Sequence, residues 1–291
     1  MTDTTTFNFD YNIINDASSY VVLDDNSNVS GLPRTYNLMN GCTWTNNQWL
    51  VINEYNGSST TTFDINSGAT FINNDELDLR DCTFTNNGTL TAVSPSVMHA
   101  NVPGTVNVIT NNGTFTSTDS NINIATTSSF SQDGTLTLAG TTFLHMSGSS
   151  TFTNNTPNFT DASTTYIYVH ESAVLTLNAD TTIAGGIECG TVCTPSTATI
   201  VVQATKTVTL TGNMYVYHDL QNNGTIDVAT PGSYTFYPLY GTLSGNAVTN
   251  TGGGIYNSTG SAREPSYSFS SDTETGFFLE STDDIGVSLN S

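Results

Sequence analysis

The chain has 291 residues, with 25 Asp and Glu against 4 Lys and Arg and a formal net charge of −21. Such a surface repels phosphates and anionic headgroups, so neither a nucleic-acid partner nor an acidic membrane surface is expected. Charged residues are only 10% and aromatics another 10%, and Thr, Asn, Ser and Gly supply the polar bulk, which predicts strands and turns rather than a solvated coil.

The N-terminus, Met1-Thr-Asp-Thr-Thr-Thr6, has neither a basic nor an apolar stretch, so no secretory signal is expected, and no segment reaches the apolar length of a membrane-spanning helix. Residues 1–60 hold both tryptophans (Trp44, Trp49), the acidic pair Asp24-Asp25 and the Gly31-Leu-Pro-Arg34 turn, which predicts a separate cap or docking module. Asp24-x-Asn26-x-Asn28 imitates the start of a calcium loop. It lacks the Gly at the sixth place and has Thr35 where the loop needs Glu, so no calcium site is predicted there.

Residues 61–249 are repetitive. One phrase recurs as Phe84-Thr-Asn-Asn-Gly-Thr-Leu90, Ile109-Thr-Asn-Asn-Gly-Thr-Phe115, Phe130-Ser-Gln-Asp-Gly-Thr-Leu136 and Leu220-Gln-Asn-Asn-Gly-Thr-Ile226. Looser copies are Trp44-Thr-Asn-Asn47, Phe71-Ile-Asn-Asn74 and Phe152-Thr-Asn-Asn155. A period of about 20–25 residues is that of a solenoid. Within it, stretches such as Thr135-Leu-Thr-Leu138 alternate at period two, as strands with one buried face do. The Asn-Asn-Gly triplet is read as a turn in which Gly tolerates positive φ. It could join antiparallel hairpins through a type I′ turn, or form the corner of a parallel β-helix with Asn side chains stacked between turns. The second reading is preferred, because hairpins need a turn signal every 8–12 residues. The repeat fades between Thr156 and Gly224. The expected fold is therefore all-β, a parallel β-helix or β-solenoid shaft.

The most aromatic stretch, Tyr234-Thr-Phe-Tyr-Pro-Leu-Tyr240, is the candidate contact patch, through Tyr234, Phe236, Tyr237 and Tyr240. Residues 250–262, rich in Gly and Ser, are predicted to be a linker, and 263–291 a C-terminal hairpin tip. There Tyr267 and Phe269 share one strand face, Asp272-Thr-Glu-Thr-Gly276 is turn-rich, and Phe277-Phe278-Leu279 begins the return strand. One hairpin is too small to be stable alone, so Tyr267, Phe269, Phe277 and Phe278 are candidates for burial in a homotrimer.

This C-terminal stretch resembles a short segment common in tail-fibre and related virion proteins of tailed phages. Those carry a Pro, an aromatic-Ser-Phe strand, Asp-x-x-Thr-Gly followed by aromatics, and a downstream Asp-x-Ile/Leu-Gly strand. Pro265, Tyr267, Phe269, Asp272, Thr275, Gly276, Phe277, Asp284, Ile285 and Gly286 occupy those places. The resemblance covers about 30 residues. It implies a non-enzymatic virion protein, made in the host cytoplasm, that forms a tail, neck or head fibre. Its implied partners are itself, other virion proteins (capsid, neck or tail) and a host-surface glycan or protein.

The alternatives are a polysaccharide-degrading tailspike and a cellular β-helix adhesin. Glycoside hydrolysis needs two carboxylates across the scissile bond. The best local cluster is Asp75, Glu76, Asp78 and Asp81, for which a solvated rim is the plainer explanation. Lyase chemistry would have to draw on Lys206, Arg34, Arg80 or Arg263 alone. Cys189-Gly-Thr-Val-Cys193 has the wrong spacing for a redox pair and no nearby His for zinc, whereas Cys42 and Cys82 open repeat copies and are expected to point inward. His99, His145, His170 and His218 stand apart without a nucleophile signature and are read as packing or surface residues. No catalytic residue, metal or cofactor is predicted.

Overall fold

A computed structural model describes residues 5–16, 20–23, 34–53, 61–100, 106–190 and 197–229, together with strand segments between 235 and 255 and between 267 and 288. It is an all-β coil of parallel sheets, a β-solenoid. Each turn lays one strand on each of three faces. Thr5–Phe9, Ile13–Asn15 and Val21–Leu23 start the first, second and third faces. The first and third faces are continuous sheets of 11 strands, and the second is a sheet of 7 followed by one of 4. At about 4.8 Å per strand the coil extends roughly 50 Å along its axis. The hairpin reading of Asn-Asn-Gly is thereby excluded within the coil: the phrase joins strands of different faces, and every pairing there is parallel, as between Cys82–Asn86 and Val108–Asn111.

The period-two pattern has a direct physical cause. Inward rows run from turn to turn, such as Tyr36, Phe63, Phe84, Ile109, Phe130, Phe152, Leu175, Ile200 and Leu220 on the first face, all buried. Like meets like in register, so rings stack: Phe63 on Phe84 at 5.6 Å and Phe130 on Phe152 at 4.9 Å between centroids. Each such buried side chain contributes about 2–3 kcal/mol of transfer free energy. Cys42, Cys82 and Cys189 are buried free thiols; Cys42 and Cys82 take the inward places expected of them, and Cys193 lies outside the described residues.

The two asparagines of the repeat phrase face opposite ways. Asn86 and Asn111 are buried at the corner, where Asn86 Nδ2 donates to Asn111 Oδ1 at 2.7 Å and Asn111 Nδ2 to Gln132 Oε1 at 2.8 Å. Each also donates across the corner to a carbonyl on the second face of the next turn, Thr114 O and Thr135 O respectively, both at 2.9 Å. The second asparagine forms an outer ladder: Asn112 Nδ2 donates to Asn87 Oδ1 at 2.9 Å, and Asn178 Nδ2 to Asn155 Oδ1 at 3.0 Å. A buried amide must find a partner, and the amide side chain one turn away supplies it.

Several expectations are corrected. Gly88, Gly113 and Gly134 are not positive-φ residues. They are needed for close approach, because a Cβ on Gly113 would lie 2.1 Å from Gly88 O and one on Gly134 2.1 Å from Gly113 O. Positive φ falls instead on corners such as Asp81, Asp119 and Glu171. Their carboxylates accept N–H groups from neighbouring turns: Val106 to Asp81 at 2.8 Å, Thr141 to Asp119 at 2.7 Å and Gly148 to Glu171 at 2.6 Å. Charge-assisted bonds of this kind offset the cost, roughly 1 kcal/mol, of a left-handed residue with a Cβ. Part of the acidic excess is thus structural.

The described strands before residue 60 belong to the coil: Arg34–Leu38 pairs in parallel with Thr5–Phe9 on one side and Thr61–Ile65 on the other. The expected boundary at residue 60 is no break in the sheets, because Tyr36, Trp44 and Leu50 fill the same inward places as later residues. The described residues between Thr156 and Gly224 are also coil, built from strands such as Tyr166–Val169 and Thr199–Val202 with smaller aliphatic side chains inside. At the far end Gly254–Ile255 pairs with Thr235–Pro238, so the coil enters the stretch expected to be linker. Tyr267–Phe269, Asp272–Ser281 and Asp284–Ser288 make a separate three-stranded antiparallel sheet. The Asp272–Gly276 stretch expected as a turn is part of its central strand. Among the described residues no helix is long and apolar enough to cross a membrane.

Candidate binding face

The outward rows of the third face differ from those of the other two. One row runs Asn121, Phe143, Tyr166, Gly186; the next runs His99, Asn123, His145, Tyr168, Glu188, Tyr215. From Asn121 to Glu188 both are carried by four-residue strands whose alternate positions are locked inward by Ile122, Leu144, Ile167 and Ile187. The rings of Phe143, Tyr166 and Tyr168 are nearly parallel, 12–18° between planes, with centroids 5.9–6.1 Å apart. That spacing is too wide for a face-to-face sandwich, so the rings are offset. Tyr166 leans over Gly186, where a Cβ would meet its ring at 2.5 Å, and it is 42% exposed.

Beside the rings, His145 Nε2 and His170 Nδ1 lie 3.2 Å apart, one protonated and donating to the other. His170 Nε2 stands 3.5 Å from Glu188 Oε1, and His99 Nδ1 is 3.2 Å from the Asn123 amide nitrogen. Burial holds His145 below the ordinary histidine value; His170 adds to the depression and Glu171 opposes it. Burial, helped by Glu188 and Tyr166, holds the Tyr168 phenol above its usual value. Both groups are therefore neutral near pH 7. Asn121, Asn123, Phe143, His145, Tyr168 and His170 enclose an open hollow of about 370 Å³. Such a surface combines flat apolar area with amide and imidazole groups that donate and accept.

The carboxylate cluster has other partners. Asp78 is buried and accepts from Arg80 Nε at 2.9 Å and from a terminal guanidinium nitrogen at 2.6 Å. Glu76 lies 3.7 Å from His99 Nε2, and Asp81 caps the Val106 N–H. Among the described residues no group of three or more His, Cys, Asp or Glu is arranged to hold a metal ion.

Of the predicted contact residues, Phe236 and Tyr237 lie on the strand Thr235–Pro238, in register with Met214 and Tyr215. Tyr234 and Tyr240 fall outside the described residues. Tyr267 and Phe277 are directly paired across the C-terminal sheet, where Phe278 pairs with Gly286 and Phe269 with Asp272. The prediction missed Phe143, His145, Tyr166, Tyr168 and His170. A signal was available: His145 and His170 are 25 residues apart, one repeat period. No known protein family, curated protein or solved structure matches the chain.

Proposed function

We propose that this chain is a structural fibre or appendage subunit of a bacteriophage particle, without enzymatic activity. The observation that carries this reading is the C-terminal phrase from Pro265 to Gly286, with its fibre-like order of Pro, Tyr-Ser-Phe, Asp-x-x-Thr-Gly and Asp-Ile-Gly. A parallel coil is compatible with it, since stacked strands with a continuous core resist bending. In this reading the C-terminal sheet, too small to bury both its faces, assembles as a homotrimer. The end of the coil that carries exposed Phe7, Tyr11 and Ile14 faces another virion protein, and the shaft presents its aromatic face to the host surface. The test is immunogold labelling of purified particles with antibody against the chain, alongside sedimentation of the isolated protein. Label at a fixed place on the particle and a trimer mass are expected. Particles that contain none of the chain would overturn the virion assignment, and a stable monomer the trimer.

A further inference from the structure

We infer that the third face of the coil, from Asn121 to Glu188, binds an uncharged oligosaccharide lying along the coil axis. The inference deepens the host-attachment part of the proposed function and rests on it. The chemistry follows from three observations.

The ring platform comes first. Phe143, Tyr166 and Tyr168 are outward-facing aromatics on adjacent turns with nearly parallel planes, and Tyr166 is tipped over the bare backbone of Gly186. A pyranose has an apolar C–H face that covers such rings and a rim of hydroxyls that must stay hydrogen-bonded. The second observation supplies those bonds. The hollow beside the rings is edged by the amides of Asn121 and Asn123 and by the imidazoles of His145 and His170. Amide groups, and an imidazole held neutral as His145 is by burial, both donate and accept, as hydroxyls do, whereas a cationic edge would select anions.

The third observation is charge. Glu76 and Glu188 border the face, Glu171 stands beside His145, and the whole chain carries −21. No Lys or Arg lies in either outward row from Asn121 to Tyr215. A uronate, sialylated or phosphorylated polymer would meet like charge with no counter-ion on the protein. Geometry selects a chain rather than a globular partner. The strip is only two outward residues wide on each strand, but it recurs every ~4.8 Å along the axis. A protein partner needs on the order of 800 Å² on each side, which a strip this narrow does not offer.

The experiment is a binding screen of the full chain on an array of oligosaccharides. It carries neutral members built of glucose, galactose, mannose and N-acetylhexosamines, and anionic members bearing uronate or phosphate. Binding of at least one neutral member and none of the anionic ones is expected. Phe143→Ala and Tyr168→Ala should each weaken that binding by about tenfold or more. Tyr11→Ala, at the exposed end of the coil, should leave it unchanged. Both ring positions face outward, so thermal melting should hold; if one variant melts early, Tyr166→Ala gives the same reading. No binding to any neutral member, preference for the anionic ones, or unaltered binding by the ring variants would overturn the inference. Immunogold labelling is indifferent to these outcomes, so a failed sugar site and a failed virion assignment are told apart.

Discussion

Asn111 sits between two partners of its own kind: it accepts from Asn86 Nδ2 at 2.7 Å and donates to Gln132 Oε1 at 2.8 Å. It also donates to Thr135 O at 2.9 Å, tying one corner of the coil to the next turn. Asn111→Ala strands these groups in a dry interior and should cost about 3 kcal/mol. Asn112→Ala removes an exposed bond of the outer ladder and should change stability by less than about 0.5 kcal/mol. Urea denaturation of the two variants checks this; equal losses would show that the inner ladder has no special weight.

The glycines separate two roles by substitution. Gly113→Ala drives a Cβ into the Gly88 carbonyl, 2.1 Å away, and should destabilise by about 3 kcal/mol. Gly41→Ala has open space around its Cβ but a φ of +80°, so its cost should be about 1 kcal/mol of backbone strain. Thermal melting orders the pair.

Arg80 neutralises the buried Asp78, with their side chains 20% and 5% exposed. Arg80→Ala leaves that carboxylate uncompensated, and a loss of about 3 kcal/mol in chemical denaturation is expected. A loss well under 1 kcal/mol would place the pair among solvent-screened surface bridges.

Stability should fall on the acid side through His145. Its folded value lies below the ordinary 6.5, so above that pH the imidazole is neutral in both states and its contribution is fully present. As pH falls below 6.5 the unfolded chain takes up the proton first, and stability drops until the folded pKa is passed. Melting temperatures from pH 8 to 5 should decline less in His145→Gln than in the unaltered chain. Parallel curves would mean that His145 is not desolvated.

Burial pushes the Cys82 thiol up, and Cys189 to about 12. With no thiolate near neutrality, both should resist iodoacetamide in the folded protein and react once it is unfolded in urea. Peptide mass spectrometry, resolving Cys189 from Cys193, reads the outcome. Rapid native labelling of Cys82 would contradict its place in the core.

Much of the fold could be read from residue order alone. Alternation as in Thr135-Leu-Thr-Leu138 and the recurrence of Asn-Asn-Gly-Thr pointed to a coil, because strand burial has period two and like residues stack between turns. Copies of the phrase misled in one respect. Phe84 lies on the first face and Phe71 on the second, since every corner of a three-faced coil makes the same demand on local chemistry. The binding face was only partly legible. Tyr166 and Tyr168 alternate on one strand and His145 and His170 are one repeat period apart, but nothing local sets Phe143 beside the two tyrosines.

Sequence by itself thus determined a repetitive all-β chain with one-sided strands and an acidic surface, all of which follow from short-range periodicity and composition, whereas the parallel pairing came from the structure. Only the tertiary structure decided which corner each asparagine occupies, that the glycines serve close approach rather than positive φ, and which outward side chains share a face. Those features depend on register between turns, set by the length of each corner, and one residue more or less would have turned every ring on the third face inward.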